Sequence, residues 1–111
     1  MIVNLIEGCL NSRKKEFYYG ALMNKDIKDV YLGYGLLDPN EKREYGPGDH
    51  YEEIIMPLNG EIILHLADVK ILKKGDAFFL KEGLKLKIEN KTQEQVFFVI
   101  AGGHPVPHHH G

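Results

Sequence analysis

Residues 48–60 read Gly-Asp-His-Tyr-Glu-Glu-Ile-Ile-Met-Pro-Leu-Asn-Gly, and this stretch decides the fold. Polar side chains that can bind metal precede a short apolar run, which ends at Asn59-Gly60. An Asn-Gly pair tolerates positive φ at both positions, as a type I′ turn between antiparallel strands requires. The segment Glu61 to Leu66 then predicts a returning strand. We therefore expect a hairpin that carries a histidine and two carboxylates at the mouth of its first strand.

The rest of the chain indicates short strands separated by turn residues. Apolar and polar residues alternate strictly from Leu84 to Glu89, which predicts a strand with one buried face and one face exposed to solvent. No helical period persists over ten residues. The other predicted strands are Ile2–Ile6, Glu16–Tyr19, Val30–Leu37, Val69–Leu72, Ala77–Leu80 and Gln95–Ala101, and Asp38–Gly48 is predicted as a loop. This spacing is typical of an all-β sandwich or barrel.

Composition limits the class of protein. A chain of 111 residues predicts one domain. A net charge of −2 argues against a nucleic-acid partner, because phosphates are neutralised by a basic surface. No apolar run approaches the ~20 residues of a membrane span, and the N-terminus does not read as a signal peptide. The single cysteine, Cys9, excludes an internal disulfide, so a cytoplasmic location is the simplest expectation.

Two segments of the chain match the spacing of known sequence motifs. Glu53, six residues and Gly60 match the second half of the first cupin motif. The spacing of the second motif is matched by Gly75, Lys81, Gly83, Leu86 and Asn90. The chain therefore resembles a small single-domain cupin. The resemblance implies a jelly-roll β-barrel over residues 1–101 and a homodimer that exchanges N-terminal strands.

The departures from the family pattern concern metal ligands. Metal-binding cupins use two histidines separated by one residue, then a glutamate, and then a histidine in the second motif. Glu53 is present here, but neither upstream position carries a histidine, and His50 lies beside them out of step. Leu86 replaces the last histidine, and the alternation around it predicts that its side chain points inward. The standard four-ligand site cannot form from these residues.

The polar stretch before the hairpin predicts a ligand site instead. We expect a small molecule to contact Tyr45, Tyr51, Glu53 and Leu86. An inward carboxylate such as Glu53 is costly unless it is paired or bound to metal. Tyr45 and Tyr51 flank the expected mouth, where packing of the rim is the alternative role for both rings.

A His- and Pro-rich tail, residues 102–111, follows the domain. It is interpreted either as a remnant of a purification tag, as a solvated end, or as a metal-binding segment. In the last case a non-standard site would combine His50 and Glu53 with His104 and His108. Such a site would hold a divalent transition metal, with Zn, Mn, Fe or Ni as candidates.

Three functions from different classes follow. The favoured one is a cupin-like protein that binds a small molecule without the standard metal site. The second is a metal-dependent enzyme of the isomerase, decarboxylase or dioxygenase class that uses the tail histidines. The third is a metal carrier or sensor.

Overall fold

A computed structural model of the chain describes residues 1–105, and within this range it contains one short helix and nine strands. Their bounds are α1 Leu5–Leu10, β1 Glu16–Tyr19, β2 Tyr31–Leu37, β3 Lys42–Tyr45, β4 Glu52–Pro57, β5 Glu61–His65, β6 Val69–Lys73, β7 Phe78–Leu80, β8 Leu86–Glu89 and β9 Val96–Gly103.

The strands form two antiparallel sheets that enclose the core. The larger sheet has the order β1-β2-β9-β4-β7, and the smaller sheet has the order β3-β8-β5-β6. Alternate residues of each strand point inward, which buries apolar side chains from both sheets. The most deeply buried are Leu37, Ile55, Ile62, Leu64, Leu80, Ile88, Val96, Phe98 and Ile100. The predicted all-β jelly-roll architecture is confirmed.

The hairpin predicted at Asn59-Gly60 is wrong. Strand β4 pairs with β7 and β9, whereas β5 pairs with β6 and β8 in the other sheet. Gly60 does adopt φ +64°, but Asn59 is not among the residues with positive φ, so the turn is not type I′. The Asn59 side chain instead donates to Gln95 O at 2.9 Å and accepts from Phe97 N at 2.7 Å. The turn therefore carries the chain from one sheet to the other.

The strand predicted at Ile2–Ile6 is also wrong, because residues 1–4 form no strand and helix α1 begins at Leu5. Asn4 is its N-cap, and the side-chain oxygen of Asn4 accepts from Glu7 N at 3.0 Å. Such caps satisfy backbone donors that a helix start leaves unpaired. Ile2 and Ile6 remain exposed, and Cys9 is fully buried. Apolar residues at both ends of this segment therefore do not form a strand face.

The segment Asp38–Gly48, predicted as a loop, contains strand β3, which pairs with β8. Asn90 explains why the chain can turn into this strand. Its buried side-chain amide donates to the carbonyls of Leu37 at 3.2 Å, Asp38 at 3.1 Å and Glu94 at 2.7 Å. Asn90 thus ties the end of β2 to the turn that precedes β9.

The last strand extends further than the sequence indicates. Strand β9 runs to Gly103, so the first two residues of the 102–111 tail belong to the larger sheet. Within residues 1–105, no helix is long and apolar enough to cross a membrane.

Candidate functional site

A cavity of about 1370 Å³ is lined by residues of both sheets. Four of its lining residues are those that the sequence predicted for ligand binding, namely Tyr45, Tyr51, Glu53 and Leu86. The tail residue His104 also lines it. The structure therefore brings together distant parts of the chain around the position of Glu53.

Glu53 is the polar centre of the cavity, and only 5% of its surface is exposed. The Tyr45 hydroxyl donates to Glu53 Oε1 at 2.6 Å, and the Tyr31 hydroxyl donates to Oε2. Burial raises the pKa of Glu53, and the two hydroxyl bonds act in the opposite direction. Burial also raises the pKa of Tyr31 and Tyr45 well above the usual value, so both stay protonated donors at neutral pH.

The hydrogen bonds continue away from Glu53 to a second carboxylate. The hydroxyl oxygens of Tyr45 and Tyr18 lie 3.0 Å apart, and the Tyr18 hydroxyl donates to Glu16 Oε1 at 2.9 Å. Arg43 then donates to Glu16 Oε2 at 2.5 Å. Two carboxylates are thus connected through tyrosine hydroxyls, and among residues 1–105 only the Glu16 carboxylate of the two forms an ion pair.

Glycines in neighbouring strands make room for these tyrosines. Gly102 of β9 lies opposite Tyr31 of β2 on one side and Glu53 of β4 on the other. A Cβ atom at Gly102 would overlap the Tyr31 phenol ring. Gly33 lies opposite Tyr18 and is covered by its ring in the same way. The bare backbone therefore lets Tyr31 cross one strand and reach a carboxylate on the next.

Aromatic rings continue along the cavity from this network. Tyr18 and Tyr31 have ring centroids 6.0 Å apart at 75°, and Tyr31 and Tyr51 are 5.6 Å apart at 82°. The rings of Tyr51 and His104 are 4.8 Å apart. His104 Nδ1 lies 3.6 Å from Asp29 Oδ1. Aromatic rings therefore line one part of the cavity, and many charged side chains line the rest.

Comparison with known proteins identifies the fold. No protein-family profile matches the sequence, and no curated protein sequence matches it. Solved structures do match. The cupin domain of Schizosaccharomyces pombe Cnp3 has a TM-score of 0.62 at 18% identity, over 68% of this chain and 53% of that one. This chain has the cupin fold.

Two further solved structures match the same fold, and their names indicate different roles. The Cupin_2 domain of an XRE family transcriptional regulator from Enterobacter cloacae has a TM-score of 0.67 at 14% identity, over 82% of this chain and 98% of that one. A predicted oxalate decarboxylase from Thermotoga maritima has a TM-score of 0.64 at 19% identity, over 80% of each chain. The chain spans about half the length of the Cnp3 structure and most of the other two. Similarity at this level shows the fold and leaves the activity open.

The residues described in this cupin fold do not fit a metal ion. Leu86 is 6% exposed and lies opposite Tyr45, so its predicted inward orientation is confirmed, and the position of the family's last histidine is apolar. His50 is exposed and lies outside the cavity lining. Among residues 1–105, no three His, Cys, Asp or Glu side chains are grouped to hold a metal. His104 and Glu53 share the cavity, whereas His108 lies outside the described residues.

Sequence reasoning identified only two of the six residues in this polar network, Tyr45 and Glu53. Tyr18, Tyr31, Glu16 and Arg43 were not identified, because they lie far from Glu53 in the chain and belong to other strands. A glycine within a strand could have indicated one of these residues. Gly33 within a β-strand indicates close approach by another group, and that group is the Tyr18 ring.

Proposed function

We propose that this cupin-fold chain binds a small organic molecule in the tyrosine-lined cavity, with Glu53 as the polar anchor and no metal required. The observation that supports this proposal is that each Glu53 oxygen accepts a hydrogen bond from a tyrosine hydroxyl. In the metal-binding members that this sequence resembles, the matching glutamate is a ligand. Here the donors that hold the carboxylate are part of the protein.

The cavity offers the features expected of a binding site for small molecules. Such sites are concave and mainly apolar, with few polar groups in fixed positions. Leu86 and the tyrosine rings supply apolar surface, and the Glu53 carboxylate and its two hydroxyl donors supply polar atoms. The volume of about 1370 Å³ accommodates a molecule of metabolite size.

The metal-dependent enzyme is a second candidate, because His104 and Glu53 line the same cavity. Elemental analysis separates the two candidates, and it also tests a carrier or sensor role. The full chain is purified without immobilised nickel, and its metal content is compared with that of a chain truncated after Gly103. A stoichiometric metal that is lost on truncation would support the tail-histidine site and contradict our proposal.

Ligand binding is tested on chelator-treated full-length protein. Its thermal unfolding is followed against a library of small molecules, for wild type, Glu53→Gln and the matched control Glu52→Gln. Glu52 precedes Glu53 on β4 and does not line the cavity. We expect ligands that raise the Tm of wild type and Glu52→Gln and lose this effect in Glu53→Gln. Stabilisation only after metal is added, or stabilisation that Glu53→Gln leaves intact, would contradict the proposal.

The homodimer and the cytoplasmic location also stay predictions. Sedimentation velocity at several protein concentrations tests the first. A single species with the mass of one chain at the highest concentration would contradict it.

A further inference from the structure

Glu53 is unusual because it is a buried carboxylate that no cationic side chain of residues 1–105 accompanies. Among the ion pairs of residues 1–105, all with N–O distances of 4.0 Å or less, none includes Glu53. Its two hydrogen-bond partners, Tyr31 and Tyr45, are neutral hydroxyls. Removing a carboxylate from water is costly unless an opposite charge or a proton compensates it. When it is ionised, Glu53 therefore lacks a counter-charge among residues 1–105.

The nearest basic groups of the network are already committed. Arg43 donates Nε to Glu41 at 3.1 Å, one terminal nitrogen to Glu16 at 2.5 Å, and the other to the Leu36 carbonyl. Lys15 pairs with Asp38. Neither side chain can turn to Glu53 without breaking these contacts. A positive charge for Glu53 has to come from outside this network.

The hydrogen count of the network shows the other way in which the Glu53 charge can be compensated. Three hydroxyls, those of Tyr18, Tyr31 and Tyr45, serve four oxygen–oxygen contacts between themselves and the two carboxylates, Glu16 and Glu53. With both carboxylates ionised, three hydrogens are available for four contacts. The network thus has one hydrogen too few unless a carboxylate is protonated, and a cation beside Glu53 would balance the charge of this carboxylate in place of that proton.

The walls beside Glu53 favour an organic cation as that partner. Tyr31 meets Tyr18 at 75° and Tyr51 at 82°, so rings stand nearly perpendicular to one another along the cavity. Aromatic faces attract cations through the ring quadrupole, and groups of aromatic rings recognise quaternary ammonium ions. Two of the roughly four lone-pair positions of the Glu53 carboxylate accept from tyrosine hydroxyls, and the others are open to a ligand. A bound cation favours the ionised form of this carboxylate.

We propose that the cavity binds an organic ammonium ion, with its charge beside Glu53 and its alkyl groups against Tyr18, Tyr31 and Tyr51. This inference rests on the proposed function, since it names the ligand class of the same cavity. Apart from Glu53, the lining includes seven basic and five acidic side chains, so it does not by itself favour a cation. Selectivity for the cation therefore comes from Glu53 and the rings.

The test uses tetramethylammonium as the probe and tert-butyl alcohol as a neutral molecule of similar shape. Binding to full-length protein is measured by NMR titration at constant ionic strength. We expect saturable binding of tetramethylammonium, and binding of tert-butyl alcohol at least tenfold weaker. Glu53→Gln, which keeps the shape and removes the charge, is expected to weaken tetramethylammonium about tenfold or more. Glu52→Gln is the matched charge control and is expected to leave the Kd unchanged.

The aromatic part of the inference is tested at the partly exposed Tyr51. Tyr51→Leu is expected to raise the Kd about two- to fivefold, and Tyr51→Phe, which keeps a ring, is expected to raise it less. Equal binding of both probes would overturn the ammonium assignment and leave small-molecule binding intact. Absence of saturable tetramethylammonium binding, or a Glu53→Gln Kd equal to that of wild type, would also overturn it.

Discussion

Replacing Tyr45 by phenylalanine removes one oxygen atom from the centre of the network. The lost hydroxyl donates to Glu53 Oε1 at 2.6 Å and lies 3.0 Å from the Tyr18 hydroxyl. The ring stays in its buried place beside Phe98, with centroids 6.4 Å apart, so packing is retained. Hydrogen bonds to charged groups contribute about 1.5–3 kcal/mol. We therefore expect Tyr45→Phe to lower the free energy of unfolding by about 2 kcal/mol.

Urea denaturation followed by circular dichroism measures this change, and thermal unfolding gives a second value. A loss of this size corresponds to a drop in Tm of roughly 8 °C for a domain of this length. Tyr34→Phe is the control, because the Tyr34 hydroxyl takes part in no hydrogen bond within residues 1–105 and its ring packs on Phe97. A Tyr45→Phe loss below about 0.5 kcal/mol, equal to that of the control, would refute the reasoning.

Three further predictions follow from the same contacts. Burial raises the pKa of Glu53, so between the ordinary value of 4.5 and the native pKa the folded chain holds a proton that the unfolded chain has released. The stability that this proton contributes is complete at low pH and is lost as pH rises through that window. The difference between wild type and Glu53→Gln in urea unfolding should therefore fall with pH in this window, by at most about 1.4 kcal/mol per pH unit, and a flat difference would contradict it. Gly102→Ala should displace the Tyr31 ring from Glu53 and destabilise the chain by about 1–3 kcal/mol. The loss should be smaller in a Tyr31→Ala background, and strict additivity in this double-mutant cycle would contradict the close approach of ring and backbone. Asn90→Ala should lower the free energy of unfolding by about 3 kcal/mol or more in chemical denaturation, because three carbonyls lose their donor. A loss near 1 kcal/mol would contradict this, since it would show that the carbonyls find other partners.

The sequence predicts the fold class and the buried positions of this chain better than it predicts which strands pair. The alternation at Leu84–Glu89 correctly places Leu86 and Ile88 inside. The Asn59-Gly60 turn is also real, with Gly60 at positive φ. A turn signal, however, reports the local backbone and does not specify which sheet receives the next strand. The predicted hairpin failed for this reason, since pairing of β5 with β6 and β8 is decided by the distant core.

In the candidate site, too, a local sequence signal identified one residue, whereas long-range strand pairing decides which other residues reach it. Glu53 was found because the spacing of the motif points to its position. Its partner Tyr31 precedes it by more than 20 residues, and only the register across Gly102 brings the Tyr31 hydroxyl within reach. Tyr18, which contacts Tyr45, lies further still along the chain. At the N-terminus, Asn4 was the signal that went unused. Its capping bond to Glu7 starts a helix where apolar residues alone suggested a strand.

The central claim is that protein hydroxyls hold the Glu53 carboxylate and that no metal ion does so. A crystal structure of the full chain, purified without metal-chelating resin and measured for anomalous scattering of transition metals, tests it most directly. We expect the Tyr31 and Tyr45 hydroxyls at hydrogen-bonding distance from the two carboxylate oxygens, and no anomalous peak bonded to them. An ion coordinated by Glu53, with either tyrosine displaced, would contradict the account.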